Sequence, residues 1–180
     1  NPCRDCNGSG RSRKEKKLEV KIPAGVEDGT RIRVTKEGEA GLRGAPNGDL
    51  YVFITVKPHK LFKRQGNDIL CKVPLQMTAA ALGGSVNVPT IDGSEANVKI
   101  PSGTQSGQQF RLKSKGMSIL RSTGRGDMIV EVVVETPVHL SKDQKELLQR
   151  FSDLEKNEKN NPASSGFFGK VKEFFDDFKK

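Results

Sequence analysis

Two cysteines near the start of the sequence have the spacing of a metal site. Cys3 and Cys6 stand in the stretch CRDCNGSG, and two thiolates at C-x-x-C spacing can bind one zinc ion. A closed structural zinc site takes four ligands, so this motif supplies half of one. Cys71 lies in an apolar segment, where a single cysteine usually behaves as a small buried hydrophobic residue. We therefore expect Cys3 and Cys6 to be free thiols, ligands of an adventitious metal, or a disulfide after oxidation.

The composition favours a turn-rich β protein. The 180 residues include 19 Gly, 9 Pro and 6% aromatic residues, and the mean hydropathy is −0.58. Many short strands joined by turns are typical of such a composition. No apolar run has membrane-spanning length, no signal peptide is recognisable, and three cysteines are too few for a disulfide framework. We expect a soluble protein of a reducing compartment, the cytoplasm.

The positive charge leaves nucleic-acid binding as an alternative. Lys and Arg number 31 against 22 Asp and Glu, which gives a net charge of +9 and a pI near 9.6. The basic residues are scattered through RSRKEKK, KPHKLFKR, RLKSKG and LRSTGRG without interleaved base-stacking aromatic residues, which favours a solvated surface.

The glycine-rich GLRGAPNG lacks the GK[ST] ending of a phosphate-binding loop. We predict that the protein is not an enzyme.

The sequence contains an internal repeat with an offset of about 78 residues. VKIPAGVEDGTRIRV at residues 20–34 returns as VKIPSGTQSGQQFRL at residues 98–112. Further along, GDLYVFITV from Gly48 returns as GDMIVEVVV from Gly126. Two copies of one small unit are therefore expected, arranged in tandem.

Each copy predicts strands and turns. In the first copy apolar and polar residues alternate over 18–22, 31–34 and 50–56, which is the period of a half-buried strand. Gly-Asp pairs precede the last strand of each copy, and no nucleophile or base accompanies them. This favours turn roles over catalytic roles for Asp49 and Asp127.

The segment ahead of the second copy predicts additional elements. A strand, a short helix over 77–82 closed by Gly83 and Gly84, a strand from Ser85 and an Asp92-Gly93 turn follow one another. At the equivalent place before the first copy stand the cysteine motif and RSRKEKK. We therefore expect the first unit to lack its opening strands.

These features together resemble the C-terminal part of the zinc-containing J-domain co-chaperones, the DnaJ family. CRDCNGSG resembles the last of four C-x-x-C-x-G-x-G repeats, and the resemblance continues through KIPAGVEDGTRIRVTKEGEAG, MTAAALGGSVNVPTIDG and VVVETPV to about Phe151. It implies a mainly β fold with two tandem β-sandwich-like peptide-binding domains, the first incomplete, followed by C-terminal helices. The implied divisions are a zinc-module remnant (1–10), a first β domain (11–65), a second β domain (66–139) and dimerisation helices with a linker (140–180).

The resemblance also implies site residues. In the family the last cysteine repeat shares zinc with the first, so zinc is expected in the full-length protein, whereas Cys3 and Cys6 here lack their partners. The client groove is expected at Leu18 and Val52, with Val20 and Leu50 as weaker candidates. Strand alternation alone favours the alternative that all four are core residues.

The C-terminus predicts two helices. Ser141 and Gln144 form a capping pattern ahead of an apolar stripe, and a second segment places six apolar residues on one helical face. These six residues are Phe167, Phe168, Val171, Phe174, Phe175 and Phe178. So short a helix must dock on something, and the candidates are a second copy of the chain, a membrane surface and its own domain. The resemblance implies a homodimer.

The function implied by the resemblance is that of a co-chaperone. Its partners would be unfolded polypeptide clients and a DnaK-type chaperone, with no nucleic acid and no membrane. The His-Pro-Asp signature of the J-domain is not found around His59 or His139, so this chain is not expected to stimulate the chaperone's ATPase by itself.

Overall fold

The computed structural model describes residues 14–41, 45–155 and 160–177. Its chain divides into two units, residues 1–135 and 136–180. The described elements are β1 (Arg31–Val34), β2 (Leu50–Phe53), β3 (Phe62–Gln65), β4 (Asp68–Gln76), α1 (Met77–Leu82), β5 (Gly84–Pro89), β6 (Glu95–Ile100), β7 (Gln109–Leu112), β8 (Met128–Glu135), α2 (Lys142–Leu154) and α3 (Pro162–Asp177). The described strands and the short α1 lie in the first unit, and α2 and α3 lie in the second, which confirms the expectation of a mainly β chain with C-terminal helices.

The second repeat contains the core of the first unit. Its four-stranded sheet has the order β3-β4-β8-β7, in which β4 and β8 are parallel and the other pairs antiparallel. Met128, Val130 and Val132 alternate along β8 and are 0% exposed. Buried residues of β4, α1 and the antiparallel β5–β6 hairpin belong to the same core. The period-2 pattern of the sequence therefore describes the inner face of this sheet.

The first repeat keeps the strand register of the second. β1 pairs antiparallel with β2, with Ile32 opposite Val52, and β7 pairs antiparallel with β8, with Phe110 opposite Val130. The second pair is the first displaced by the repeat offset. The repeated sequence therefore forms the same antiparallel strand pair in both copies.

Asp49 and Asp127 are turn residues, as the sequence predicts. The Asp49 Oδ1 accepts a hydrogen bond from the backbone N–H of Lys36 at 2.9 Å, and the Asp127 Oδ1 accepts one from that of Ser114 at 2.9 Å. Lys36 and Ser114 have φ values of 61° and 57°, a left-handed conformation that costs energy for a residue with a Cβ. The carboxylates hold these two turns in place.

The strand predicted over residues 18–22 is wrong. No described residue of this segment belongs to a strand, whereas the equivalent segment of the second repeat is β6, which pairs with β5. An alternating pattern supplies one face of a strand but not the neighbour that must accept its hydrogen bonds. β2 is also shorter than the predicted 50–56, because its described partner β1 extends over four residues.

The predicted helices are confirmed. α1 ends at Gly83, whose φ of 82° suits a residue without a Cβ. At the start of α2 the Ser141 side chain accepts a hydrogen bond from the Gln144 backbone N–H, and the Gln144 side chain accepts one from the Ser141 N–H. This reciprocal capping box satisfies two backbone donors that the helix itself leaves without partners.

Asp92 organises the turn between β5 and β6. Its carboxylate accepts hydrogen bonds from the Thr90 hydroxyl, from Ser94 Oγ at 2.7 Å and from the Ser94 backbone N–H at 3.1 Å. Lys115 Nζ lies 3.7 Å from the same carboxylate. These donors hold the pKa of Asp92 well below its usual range, and the Thr90 hydroxyl makes the largest contribution.

We predict that Asp92 remains ionised in the folded chain at about pH 3, where an unfolded aspartate is mostly protonated. Because the folded pKa is depressed, the resulting stability is present above about pH 4 and is lost as the pH falls through the folded pKa. Titration of the Asp92 ¹³Cγ chemical shift measures this directly, and Ser94→Ala should raise the midpoint. A wild-type midpoint near 4 would contradict the prediction.

Candidate functional site

One edge of β2 has no strand beside it in the described part of the chain. β2 pairs with β1 on one side, whereas its counterpart β8 lies between β7 and β4. The Ile69 N–H begins the β4–β8 ladder by donating to the Asp127 carbonyl at 3.0 Å. The equivalent carbonyl of Asp49 receives no such strand among the described residues. The first repeat therefore presents an edge at the place where the second repeat has one filled.

The backbone groups on this edge belong to Tyr51 and Phe53. The Ile54 N–H donates to the Thr30 carbonyl at 2.9 Å, so residue 54 faces the β1 side. Bonding direction alternates along a strand, and Val52 therefore also faces β1 while Tyr51 and Phe53 face away. An extended peptide could accept hydrogen bonds from these N–H groups and donate to the carbonyls.

The apolar residues beside the edge are more exposed than their counterparts. Leu50 and Val52 are half-buried, while Met128 and Val130, at the same positions of β8, are 0% exposed. Ile22 is 59% exposed, although its counterpart Ile100 is 2% exposed. A half-exposed apolar strip next to backbone groups that no described strand pairs with is an arrangement that suits an extended apolar peptide.

The structure brings together two of the four predicted groove residues. Leu50 and Val52 share one face of β2, opposite Val34 and Ile32 of β1. Leu18 and Val20 are half-buried in the non-strand segment, and no strand pairing joins them to β2 among the described residues. A described anchor of this segment is the ion pair between Lys16 Nζ and Glu37 at 2.6 Å, which joins it to the turn after β1.

Two glycines at equivalent positions of the repeats have different backbone surroundings. A Cβ on Gly126 would lie 2.0 Å from the Asn67 carbonyl oxygen, so the β3–β4 turn packs directly on this glycine. A Cβ on its counterpart Gly48 would have Glu39 O, at 3.8 Å, as its nearest described neighbour. In the first repeat, therefore, no described residue covers the surface that the β3–β4 turn covers in the second repeat.

The described residues do not complete a zinc site. Cys3 and Cys6 lie outside the described residues, and the described ranges contain no group of three His, Cys, Asp or Glu residues placed to hold a metal ion. Cys71 is buried in β4 at 3% exposed, and burial raises the pKa of its thiol, which opposes formation of the thiolate that binds metal. The expectation that Cys71 is a small core residue is confirmed.

The apolar face predicted for α3 is exposed. Phe167, Phe168, Phe174 and Phe175 are between 58% and 66% exposed, and Val171 is half-buried. Phe178 lies outside the described residues. Each phenylalanine pair of neighbouring residues makes an edge-to-face contact, with ring centroids 5.5 and 5.7 Å apart. Exposed aromatic rings in such a row mark an interaction surface.

Arg64 has a role that the sequence analysis missed. The run KPHKLFKR was interpreted as solvated surface, yet the Arg64 side chain is 22% exposed. It donates hydrogen bonds to the carbonyls of Val26 at 2.6 Å, Gly25 at 3.2 Å and Gly66 at 2.7 Å. Gly25 in turn lies against Ser118, whose carbonyl oxygen would be 2.3 Å from an added Cβ. Arg64 and Gly25 therefore join the first repeat to the second.

Among the described residues, none of the helices combines the length and the hydrophobicity of a membrane-spanning segment.

The family description "DnaJ C terminal domain" matches residues 5–137, and "Chaperone protein DnaJ C-terminal region" matches residues 143–177. The chain belongs to the DnaJ C-terminal domain family. The first match contains both repeats and the β2 edge, and the second contains all of α3 and all of α2 except its first residue.

Curated relatives carry the same name. This chain is 63% identical over 181 residues to the "Chaperone protein DnaJ" of Paramagnetospirillum magneticum, and the alignment covers 99% of this chain and 47% of that protein. Proteins of the same name from a Chelativorans species and from Brucella anthropi are each 56% identical, over 98% and 97% of this chain and 47% and 46% of their own lengths. The chain thus spans less than half the length of these relatives.

Proposed function

We propose that this chain is the client-binding and dimerising part of a DnaJ-type co-chaperone. In this role it captures unfolded or misfolded polypeptide segments, prevents their aggregation and passes them to a DnaK-type chaperone. The observation that carries the proposal is the apolar strip of the half-exposed Leu50 and Val52 on β2, beside backbone groups of Tyr51 and Phe53 that pair with no described strand. Backbone hydrogen bonds supply affinity that tolerates many sequences, and the apolar strip selects apolar side chains.

Leu18 and Val20 complete the proposed groove. Both are half-buried and lie in the segment before the turn at Pro23. This segment has the same apolar alternation as β6, but among the described residues it has no partner strand equivalent to β5. A client strand paired along β2 would place its side chains within reach of this strip. Capture needs no covalent chemistry, so we propose a non-catalytic role.

Four broader features of the protein are proposed from its family. Cys3 and Cys6 would bind zinc together with two thiolates supplied by a longer form of the protein. Delivery of clients to the DnaK-type partner would depend on the J-domain, and the site of action would be the cytoplasm. Within the chain, residues 1–10, 11–65, 66–139 and 140–180 would be the zinc-module remnant, the two β domains and the dimerisation region.

The homodimer is proposed to form through α3. Its face of exposed aromatic rings would be covered by the same face of a second chain, as a two-fold symmetric contact requires. The proposed contact residues are Phe167, Phe168, Val171, Phe174, Phe175 and Phe178. Two grooves in one dimer would hold a single long client at two points, which raises its apparent affinity.

Nucleic-acid binding is less well supported than client capture. Several arginines of the β units are engaged within the chain: Arg64 with three carbonyls, Arg111 with Asp127 at 3.1 Å and Arg125 with the Gly116 carbonyl at 3.2 Å. Side chains held in this way are less available for phosphate contacts. Tyr51 stacks with Arg31, whose guanidinium carbon lies 5.2 Å from the ring centroid.

The test is binding of a labelled extended apolar peptide, followed by fluorescence anisotropy at low and high salt. We expect Val52→Asp to weaken binding about tenfold or more, because a charge replaces a half-buried apolar contact, and Leu18→Asp to act in the same direction. Apolar capture should resist salt, since screening acts on charges. The same peptide with alternate backbone nitrogens methylated should bind poorly, because it cannot pair with an edge.

Tyr51→Asp is the matched control, since Tyr51 neighbours Val52 on the strand but has its side chain on the opposite face. Circular dichroism should show that both variants keep their strand content. Equal loss in the two variants, or binding that disappears at high salt, would reject the groove. Unimpaired binding of the methylated peptide would reject strand pairing as the mode of capture.

A further inference from the structure

A cavity of about 710 Å³ lies between the two repeats and shares no residue with the proposed groove. The first repeat contributes Glu27 and Asp28 from the turn before β1, and Val56 from the segment after β2. The second contributes the β3–β4 hairpin together with Ile91 and Met117. Its volume falls in the range of about 300–1,000 Å³ that is usual for ligand sites.

The floor of this cavity is apolar. Phe62, Ile69, Ile91 and Met117 all belong to the core of the second repeat or pack against it, so they are held in place. Val56, from the first repeat, adds an exposed apolar side chain to the lining. A fixed apolar floor of this size accepts one or two apolar side chains of a ligand without rearrangement.

The rim carries more positive than negative charge, with Lys57, Lys63 and Arg64 against Glu27 and Asp28. Of the two carboxylates, Glu27 lies 3.9 Å from the guanidinium of Arg64, and Asp28 Oδ1 is held in place by the Val56 N–H at 2.7 Å. Lys57 and Lys63 line the same cavity, and neither makes an ion pair with a described carboxylate. Two ammonium groups therefore remain to receive an anion.

His59 adds a neutral donor to this rim. Its Nδ1 accepts the backbone N–H groups of Leu61 at 3.2 Å and Phe62 at 3.3 Å, which leaves Nε2 as the N–H donor of the neutral ring. The imidazole stacks on Phe62 with centroids 4.9 Å apart, so the ring is fixed at the border of the apolar floor. Donors on the rim and apolar groups on the floor together describe an amphipathic ligand.

We propose that this cavity is a second peptide-binding site, for a partner segment that places an apolar side chain next to acidic ones. The apolar side chain would contact Met117 and Ile91, and its neighbouring carboxylates would pair with Lys57 and Lys63. This site is distinct from the β2 edge in its chemistry, because it selects negative charge next to an apolar side chain, whereas the edge selects apolar side chains alone. Its walls come from both repeats, and a bound peptide would bridge them.

The probe is a labelled peptide that alternates Leu with Glu, titrated into the full chain at about 0.15 M salt. The test variant is Lys57→Glu with Lys63→Glu, and the control is Lys60→Glu with Lys99→Glu, which changes the net charge equally without touching the cavity. We expect the test variant to weaken binding about tenfold, because two rim attractions become repulsions, and the control to change it less than about twofold.

A site-specific readout comes from the methionine methyl groups, of which the chain has three. With ¹³C-labelled methyl groups, the Leu-Glu peptide should shift the Met117 resonance, while Met77 in α1 and the fully buried Met128 serve as references. The Val52→Asp variant should keep the Met117 shift. That result separates this site from the client groove, so that either can fail without the other.

Three outcomes would overturn the proposal. The first is a Met117 resonance that stays in place at saturating peptide. The second is equal weakening in the test and control variants, which would indicate general charge attraction. The third is equal binding of a peptide that alternates Ser with Glu, which would show that the apolar floor takes no part.

Discussion

Gly126→Ala is expected to destabilise the folded chain by about 3 kcal/mol or more, because overpacking a rigid contact costs about 1–3 kcal/mol even where neighbours can yield. Here the neighbour is backbone. An added Cβ would lie 2.0 Å from the Asn67 carbonyl oxygen and 2.4 Å from its carbonyl carbon. Relief requires the β3–β4 turn to move away from β8, which breaks the Ile69 N–H to Asp127 carbonyl hydrogen bond at 3.0 Å.

Gly48→Ala is the matched control supplied by the repeat. The sequence context is the same Gly-Asp pair before a strand, and neither glycine has a positive φ. The nearest described atom to a Cβ on Gly48 is Glu39 O at 3.8 Å, which is ordinary van der Waals contact. We expect this substitution to leave stability unchanged or to raise it by up to about 1 kcal/mol through the loss of unfolded-chain entropy.

Chemical denaturation followed by circular dichroism measures both changes. The transition midpoint of Gly126→Ala should fall well below that of Gly48→Ala, with each compared to the parent chain. Equal effects would mean that the two repeats have equivalent surroundings at these glycines. That result would remove the main support for an open edge on β2.

Local features of this fold could be predicted because local sequence determines them. The repeat offset predicted the register shared by β1–β2 and β7–β8. Turn chemistry predicted the roles of Asp49 and Asp127, and helix-end chemistry predicted both Gly83 and the capping box at Ser141. In each instance the deciding contact lies within about twenty residues of chain.

Pairings between distant segments could not be predicted in the same way. The pattern at residues 18–22 is as regular as that of β6, but only β6 has a hairpin partner, β5, to satisfy its backbone. The parallel contact of β4 with β8 joins residues about sixty positions apart and leaves no periodic mark in either strand. Strand identity depends on such partners as much as on alternation.

In the candidate site, too, the features set by local sequence could be predicted, and the contacts between distant segments could not. Leu50 and Val52 could be placed on one strand face, because alternation fixes which residues share a face. Arg64 could not be separated from the other basic residues of KPHKLFKR, since its carbonyl partners Gly25 and Val26 lie 39 and 38 positions away. The cavity between the repeats is built from residues of both, and single segments carry no signal for it.

Phe168→Ala with Phe175→Ala is expected to convert the proposed homodimer into a monomer. The two residues are seven positions apart on α3, so they lie on one face, and they are 66% and 60% exposed in the single chain. A helix of 16 residues with an uncovered aromatic face gains its stability from docking. Loss of a well-packed aromatic residue at an interface costs about 2 kcal/mol or more, so two should weaken association at least a hundredfold.

The control for this prediction is Glu173→Ala with Asp176→Ala, on the opposite side of α3, which keeps the number of truncated side chains and the helix propensity. Light scattering at micromolar concentration should give the mass of one chain for the phenylalanine variant and of two for the control and the parent. A parent chain with the mass of one would remove the dimer from the proposal. A phenylalanine variant that keeps the mass of two would instead assign the contact to other residues and leave the exposed rings of α3 to a different partner.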